Sequence, residues 1–281
     1  MYKNGYVLIL CCMAVFCALQ APDCARAVVL DWDQSYGTWT AGAPVIGSSA
    51  SQSYDNDPGR AGNDITITLT NNGGNWGTGY PAVNTNYNGG TGQNTLAFNY
   101  ATQTTNSPDL TVTISFINYS AFGVTGVNFQ IFDVDYNAGT WIDQISNITA
   151  LTKAGTTIGA TTVSGSLYNT VTGTGTGILV TGVTGNAGGS SNRGNVSINF
   201  GTAVVTQVSF QWSNIDAARG DQKIALYDIN YVDAAPEVNP GLAAVLLCGL
   251  VIACRHRAYA YKNSGPCIHG KDGSPRPERA A

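Results

Sequence analysis

Three aspartates, Asp133, Asp135 and Asp143, stand close enough in the chain to do chemistry together. Clustered carboxylates can hold calcium, which takes several oxygen ligands from carboxylates and backbone carbonyls. As a pair, two carboxyls can instead divide proton donation and base or nucleophile work in glycoside hydrolysis. Asp133 and Asp135, two apart, would project from one face if the strand extends over them. Two further clusters have a composition suited to calcium: Asp31 with Asp33, and Asp55, Asp57 and Asp64 with Asn56 and Asn63. The stretch from Asp55 to Asp64 is loop-like but lacks the closing glutamate and the spacing of an EF-hand. Turn and strand-end aspartates bonded to backbone are the favoured reading of all three clusters. If one holds a structural calcium, its expected ligands are Asp133, Asp135 and Asp143.

Composition removes most other reactions. Residues 28–235 contain no Cys, no His and no Glu. Nucleophilic triads need a base beside the nucleophile, usually histidine, and zinc sites are built on Cys and His, so neither is expected there. Lys153 and Lys223 leave lysine-assisted serine chemistry formally open, without a motif to support it. The Asp133–Asp135 pair is the remaining hydrolytic arrangement. The basic residues of this segment, Arg60, Lys153, Arg193, Arg219 and Lys223, are outnumbered by its aspartates. Phosphate contacts need clustered Lys and Arg, so duplex nucleic acid is excluded as a partner. The expected function is non-enzymatic.

Aromatic residues offer a binding task instead. Trp76, Tyr80 and Tyr87 lie in a Gly- and Asn-rich stretch, residues 71–94, and Trp141 follows the turn-like Asn137-Ala-Gly-Thr. Flat aromatic faces can meet sugar rings while Asn and Gln bond their hydroxyls. These four are the candidate glycan contacts, although Trp141 can also cap a sheet edge and Tyr87 can pack its own loop. Trp32 and Trp212, in strand-like contexts, are expected in the core.

The elements that must position these residues read as strands. Ile65-Thr-Ile-Thr-Leu-Thr70 alternates strictly, with Ile65, Ile67 and Leu69 on one face. Leu110 to Phe116 repeats the pattern with Leu110, Val112, Ile114 and Phe116. Further strands are predicted over 95–100, 127–134, 144–151, 177–181, 195–200, 204–212 and 224–232, separated by turns such as Asn71-Asn-Gly-Gly74. Low charge (11%) with many Thr, Val, Ile and Tyr favours strands, because β-branched and aromatic side chains fit a pleated surface. The prediction is an all-β domain over 28–233: an antiparallel β-sandwich, as a jelly roll.

The two ends differ in kind. Lys3 precedes an apolar run, Val7 to Leu19, and then Ala25-Arg26-Ala27, the layout of a signal peptide cleaved after Ala27. Ala21-Pro22-Asp23 before Cys24 lacks the residues expected ahead of a lipidated cysteine. At the other end, Pro236-Glu237-Val238 precedes an apolar run, Gly241 to Cys254, and then Arg255-His-Arg257. The run is predicted as a hydrophobic helix, short against the ~20 residues of a usual span, and the basic cluster keeps its far side cytoplasmic. Residues 258–281 form a polar tail.

Residues 234–257 resemble the PEP-CTERM sorting signal of exosortase substrates: a Pro-Glu motif, a short transmembrane segment and an arginine-rich end. Val238 stands where that motif has proline. The resemblance implies transient anchorage in the inner membrane, cleavage near Pro236-Glu237 by an exosortase-type enzyme, and delivery to the cell surface or extracellular polysaccharide. Phe129-Gln-Ile-Phe-Asp-Val-Asp135 and Ile224-Ala-Leu-Tyr-Asp-Ile-Asn-Tyr231 are similar to sandwich modules that precede such tails. The expectation is an exported structural or adhesive surface protein. A carbohydrate-binding module on exopolysaccharide is the first alternative, and an aspartate-pair hydrolase the second.

Overall fold

Alternation of β-branched apolar and hydroxyl residues, read against the computed structural model, builds the strands that carry the site. Residues 26–34, 37–102, 109–218 and 220–234 are described, all within one compact unit, Asp23–Pro236. In chain order the strands are β1 (Ala27–Leu30), β2 (Ser48–Tyr54), β3 (Ile65–Asn71), β4 (Gly74–Trp76), β5 (Ala82–Asn84), β6 (Thr95–Thr102), β7 (Leu110–Ser115), β8 (Val124–Phe132) and β9 (Tyr136–Asn137). There follow β10 (Trp141–Thr152), β11 (Thr157–Gly159), β12 (Thr162–Ser164), β13 (Asn169–Thr172), β14 (Leu179–Gly182), β15 (Val196–Asn199), β16 (Val205–Asn214), β17 (Asp221–Leu226) and β18 (Ile229–Asp233). The described residues contain short 3-10 turns and no α-helix, and none of their helices is long and apolar enough to cross a membrane.

The registered ladders are antiparallel. One run goes β2–β3–β7–β16–β10, with β14, β11 and β9 on β10 and β13 on β14. The other centres on β8, which pairs with β15 on one side and with β18 and β17 on the other. Strand β1 extends β18, and β6 extends β17. A single pair, Val205 with Val124, joins β16 to β8, so the sheet curls on itself.

Period-2 patterning then places the core between the two runs. Ile65, Ile67 and Leu69 of β3, Val112 and Ile114 of β7, and Val208, Phe210 and Trp212 of β16 are fully buried. Each such aliphatic or aromatic side chain contributes about 1.5–3 kcal/mol by leaving water. Trp32 sits edge-on to Tyr54 in the same core, with ring centroids 5.6 Å apart. The intervening threonines of β3 are half-exposed, and Thr66, Thr68 and Thr70 hydrogen-bond Ser53, Ser51 and Ser49 across to β2.

Two expected strands are corrected. The strand expected over 224–232 is two, β17 and β18, broken at Tyr227 and Asp228. There the Tyr227 ring stacks on Phe132 (5.1 Å), its N–H bonds the Gln130 carbonyl, and Asp228 accepts the Trp32 N–H (3.1 Å). The strand expected over 127–134 ends at Phe132, because Asp133 takes a positive φ of 66°. Asp133 and Asp135 are therefore not neighbours on one strand face. The strand beginning at Ala27 includes the last residue of the predicted signal segment. Ala25, Pro236, Glu237, Val238, Arg255, Arg257 and the predicted C-terminal helix lie outside the described residues.

Candidate functional site

The chain leaves β8 at Phe132, turns at Asp133, and re-enters the sheet through β9 and β10. A left-handed backbone is rare for residues with a Cβ, and Asp and Asn tolerate it best. The corner is held tightly behind. The Val134 N–H donates to the Gly194 carbonyl (2.9 Å), and Asn169 Nδ2 to the Val134 carbonyl (3.2 Å). At Gly182 an added Cβ would lie 1.9 Å from the Asp135 carbonyl oxygen, so only glycine permits β14 to pass so close.

Behind this corner two carboxyls are fully engaged. Trp141 Nε1 donates to Asp135 Oδ1 (2.7 Å) and the Ala187 N–H to Asp135 Oδ2 (2.5 Å). Trp212 Nε1 donates to Asp143 Oδ1 (2.8 Å) and the Asp135 N–H to Asp143 Oδ2 (3.1 Å). Burial pushes both carboxyls above the ordinary range, most strongly at Asp143, against the lowering effect of these N–H donors. Their oxygens are spent on N–H groups. Among the described residues, no group of three or more His, Cys, Asp or Glu is arranged to hold a metal ion.

Asp133 differs. Its Oδ1 is buried without a hydrogen-bond partner among the described residues. Burial first, then the neighbouring Asp135, push its carboxyl up to about 8, with Lys223 opposing. At neutral pH it therefore carries its proton and can both donate and accept.

These groups meet at a cavity of about 140 Å³. Its walls include Tyr87 and Trp141, both half-buried, with Asp133, Gln222 and Lys223 and the exposed Gly188 at its rim. Gln222 projects from β17 and is 2% exposed, and neither its Oε1 nor its Nε2 has a partner among the described residues. Lys223 Nζ lies 5.7 Å from the Tyr87 ring centroid, a cation–π contact that holds the ring. Burial raises the Tyr87 hydroxyl pKa, while its bond with Lys223 lowers it.

The four aromatic candidates are thus separated. Tyr87 and Trp141 come together at the cavity. Tyr80 packs beside Tyr87 and Tyr227 against a small cluster of Phe132, Ala97 and Ala225. Trp76 turns to the main core, edge-on to Tyr100 (5.0 Å), with its N–H on the Pro44 carbonyl (3.0 Å). Gln222 was not singled out in the sequence, and Lys223 only as a formal partner for serine chemistry. The available signal was the alternation that puts Gln222 on the same buried face of β17 as Ile224 and Leu226.

The other aspartate clusters serve the fold. Asp64 accepts from the Asn56 and Asp57 N–H groups and from Asn118 Nδ2 (3.0, 2.7 and 2.8 Å). Asp57 pairs with Arg26 (2.5 Å) and accepts from the Tyr119 hydroxyl (2.9 Å). Asp31 accepts from the Asp33 N–H and from Gln34. Comparison of the chain with protein-family models, with curated proteins and with solved structures returns no match.

Proposed function

We propose that this is an exported, non-enzymatic surface or matrix protein whose adhesive work is carbohydrate binding at the Tyr87–Trp141 cavity. One observation carries the reading: two aromatic residues line the same cavity as Gln222, whose amide is unpaired, and Asp133, one of whose carboxyl oxygens is unpaired. Aromatic faces with a few fixed polar groups are the usual composition of a site that takes a partly apolar, hydroxyl-rich ring. Turnover is not part of the proposal. Asp135 has both oxygens bonded to N–H donors, which leaves it poorly placed as the base or nucleophile of a pair with Asp133.

The rest of the reading follows the sequence. The curled sheet is taken as a jelly-roll sandwich, residues 1–27 as a signal peptide, and residues 234–257 as a sorting segment handled at the inner membrane by an exosortase-type enzyme. Extracellular polysaccharide is then the natural binding partner. Removal through Ala27 would cost Asp57 its Arg26 partner but leave Arg60, 3.8 Å away. N-terminal sequencing of the exported protein should begin at Val28; retention of Arg26 would refute that processing site.

A glycan array probed with the full chain tests the binding. Selective binding that Tyr87→Ala abolishes is expected. A wild-type protein that binds no glycan on the array would refute the proposal.

A further inference from the structure

Gln222 and Asp133 raise a question that aromatic stacking leaves unanswered. A buried polar group without a partner destabilises the fold, and an apolar side chain of similar shape would remove the cost. The same face of β17 shows the alternative, since Ile224 and Leu226 are fully buried and apolar. Gln222 is nonetheless polar, 2% exposed, unpaired at both ends of its amide and set in the cavity wall. Asp133 Oδ1 is unpaired at the same cavity, on a backbone conformation that few side chains adopt. Two buried, unpartnered groups thus belong to residues that line one space, their free atoms covered by its wall.

We infer that Gln222 and Asp133 are the specificity-determining pair of this site, and that they hold adjacent hydroxyls on one terminal sugar residue. The inference rests on the glycan reading above and names the part of the glycan recognised. The volume sets the unit. About 140 Å³ is roughly the liquid share of four or five waters, and it falls below the ~300 Å³ at which pockets engulf a whole drug-sized ligand. One ring edge enters and the rest of the chain stays outside. The polar groups set the chemistry. Gln222 supplies an acceptor and a donor, and Asp133 holds its proton near neutral pH, so both complement groups that donate and accept alike. Sugar hydroxyls do so, whereas an ammonium group only donates. Asp135, Asp221 and Lys223 line the same cavity, and Asp143 lies behind it; of these only Lys223 is basic.

The full chain and three variants test this, with a glycan array, free methyl glycosides and short oligosaccharides as probes. Gln222→Leu removes both unpaired atoms. Asp133→Asn keeps the shape and tolerates the left-handed backbone. Gly188→Leu adds bulk to the cavity lining, where an added Cβ meets nothing within 4 Å. Gln222→Leu and Gly188→Leu should weaken binding at least tenfold by titration calorimetry, while Asp133→Asn, which keeps a donor and an acceptor, should bind as the wild type at pH 7 and hold at pH 9, where the wild type weakens. Gln222→Leu should melt at or above the wild-type temperature, and oligosaccharides should compete per chain end. A Gln222→Leu protein that melts several degrees lower would make Gln222 a structural group and overturn the inference. Undiminished glycan binding by Gln222→Leu, or an equal loss at pH 9 in Asp133→Asn and the wild type, would overturn it while leaving the glycan reading intact. Competition per residue, not per end, would overturn the terminal-residue assignment. A wild-type chain that binds no probe would remove both the reading and the inference.

Discussion

At the loop between β2 and β3, Asp57 and Asp64 are almost completely buried, and their carboxylates meet backbone N–H groups, an asparagine amide, a tyrosine hydroxyl and arginine. At the turn between β8 and β10, Asp135 and Asp143 are equally buried and equally bonded, but Asp133 and Gln222, which line one cavity, keep polar atoms with no partner among the described residues. The two regions use the same residue type for different ends. Where enough donors surround a carboxylate, it ties segments together. Where the donors run out beside a cavity, the leftover capacity can be met by a ligand.

The largest expected effect lies at the bonded corner. Asp64→Ala strands two buried backbone N–H groups and an asparagine amide, and should cost about 3–5 kcal/mol in urea denaturation, at about 1–3 kcal/mol per orphaned group. Equal losses for Asp64→Ala and Asp133→Asn would erase the distinction between the regions.

The next effect is a pH dependence. Folded Asp133 holds its proton up to about 8, while in the unfolded chain it ionises near the ordinary aspartate value of about 3.9. Between those values the native state binds more protons than the unfolded state, so stability falls as pH rises from about 4 to about 8, then levels off. Asp135 and Asp143 act in the same direction. Asp133→Asn should flatten part of this decline and make the variant the more stable protein at pH 9, by on the order of a few kcal/mol. Melting curves across that range would check it, and a parallel slope in the variant would contradict it.

Calcium should have a smaller effect still. With Asp135 and Asp143 spent on N–H donors, millimolar calcium should leave the melting temperature unchanged; a marked rise in calorimetry would restore the metal reading. The smallest change is expected on the open face of β3. Thr68→Ala removes one hydroxyl contact with Ser51 (2.8 Å) and should cost about 0.2–1 kcal/mol.

Much of the fold was legible because strand patterning is local. Ile65 to Thr70 and Leu110 to Phe116 alternate with period 2, and both face the core as that period requires. Strand β2, Ser-Ser-Ala-Ser-Gln-Ser-Tyr, has no such pattern. It exists because its backbone pairs with β3 from Ser48 to Tyr54 and its serines meet threonines across the ladder. The candidate site was half legible. Tyr87, Trp141 and Asp133 were visible as residues, but spacing alone put Asp133 and Asp135 on one face, and a single left-handed turn separates them.

By itself, the sequence determined the strand character, the acidic balance, and the absence of Cys, His and Glu from residues 28–235. These are properties of composition and near-neighbour spacing. Tertiary structure decided which aspartates are satisfied and which polar atoms are left over. Asp135 finds a donor at Ala187, Asp143 finds one at Trp212, and Gln222 reaches the Asp133 cavity from another strand. Hydrogen-bond satisfaction depends on distance in space, and partners so remote in the chain leave no periodic trace in its order.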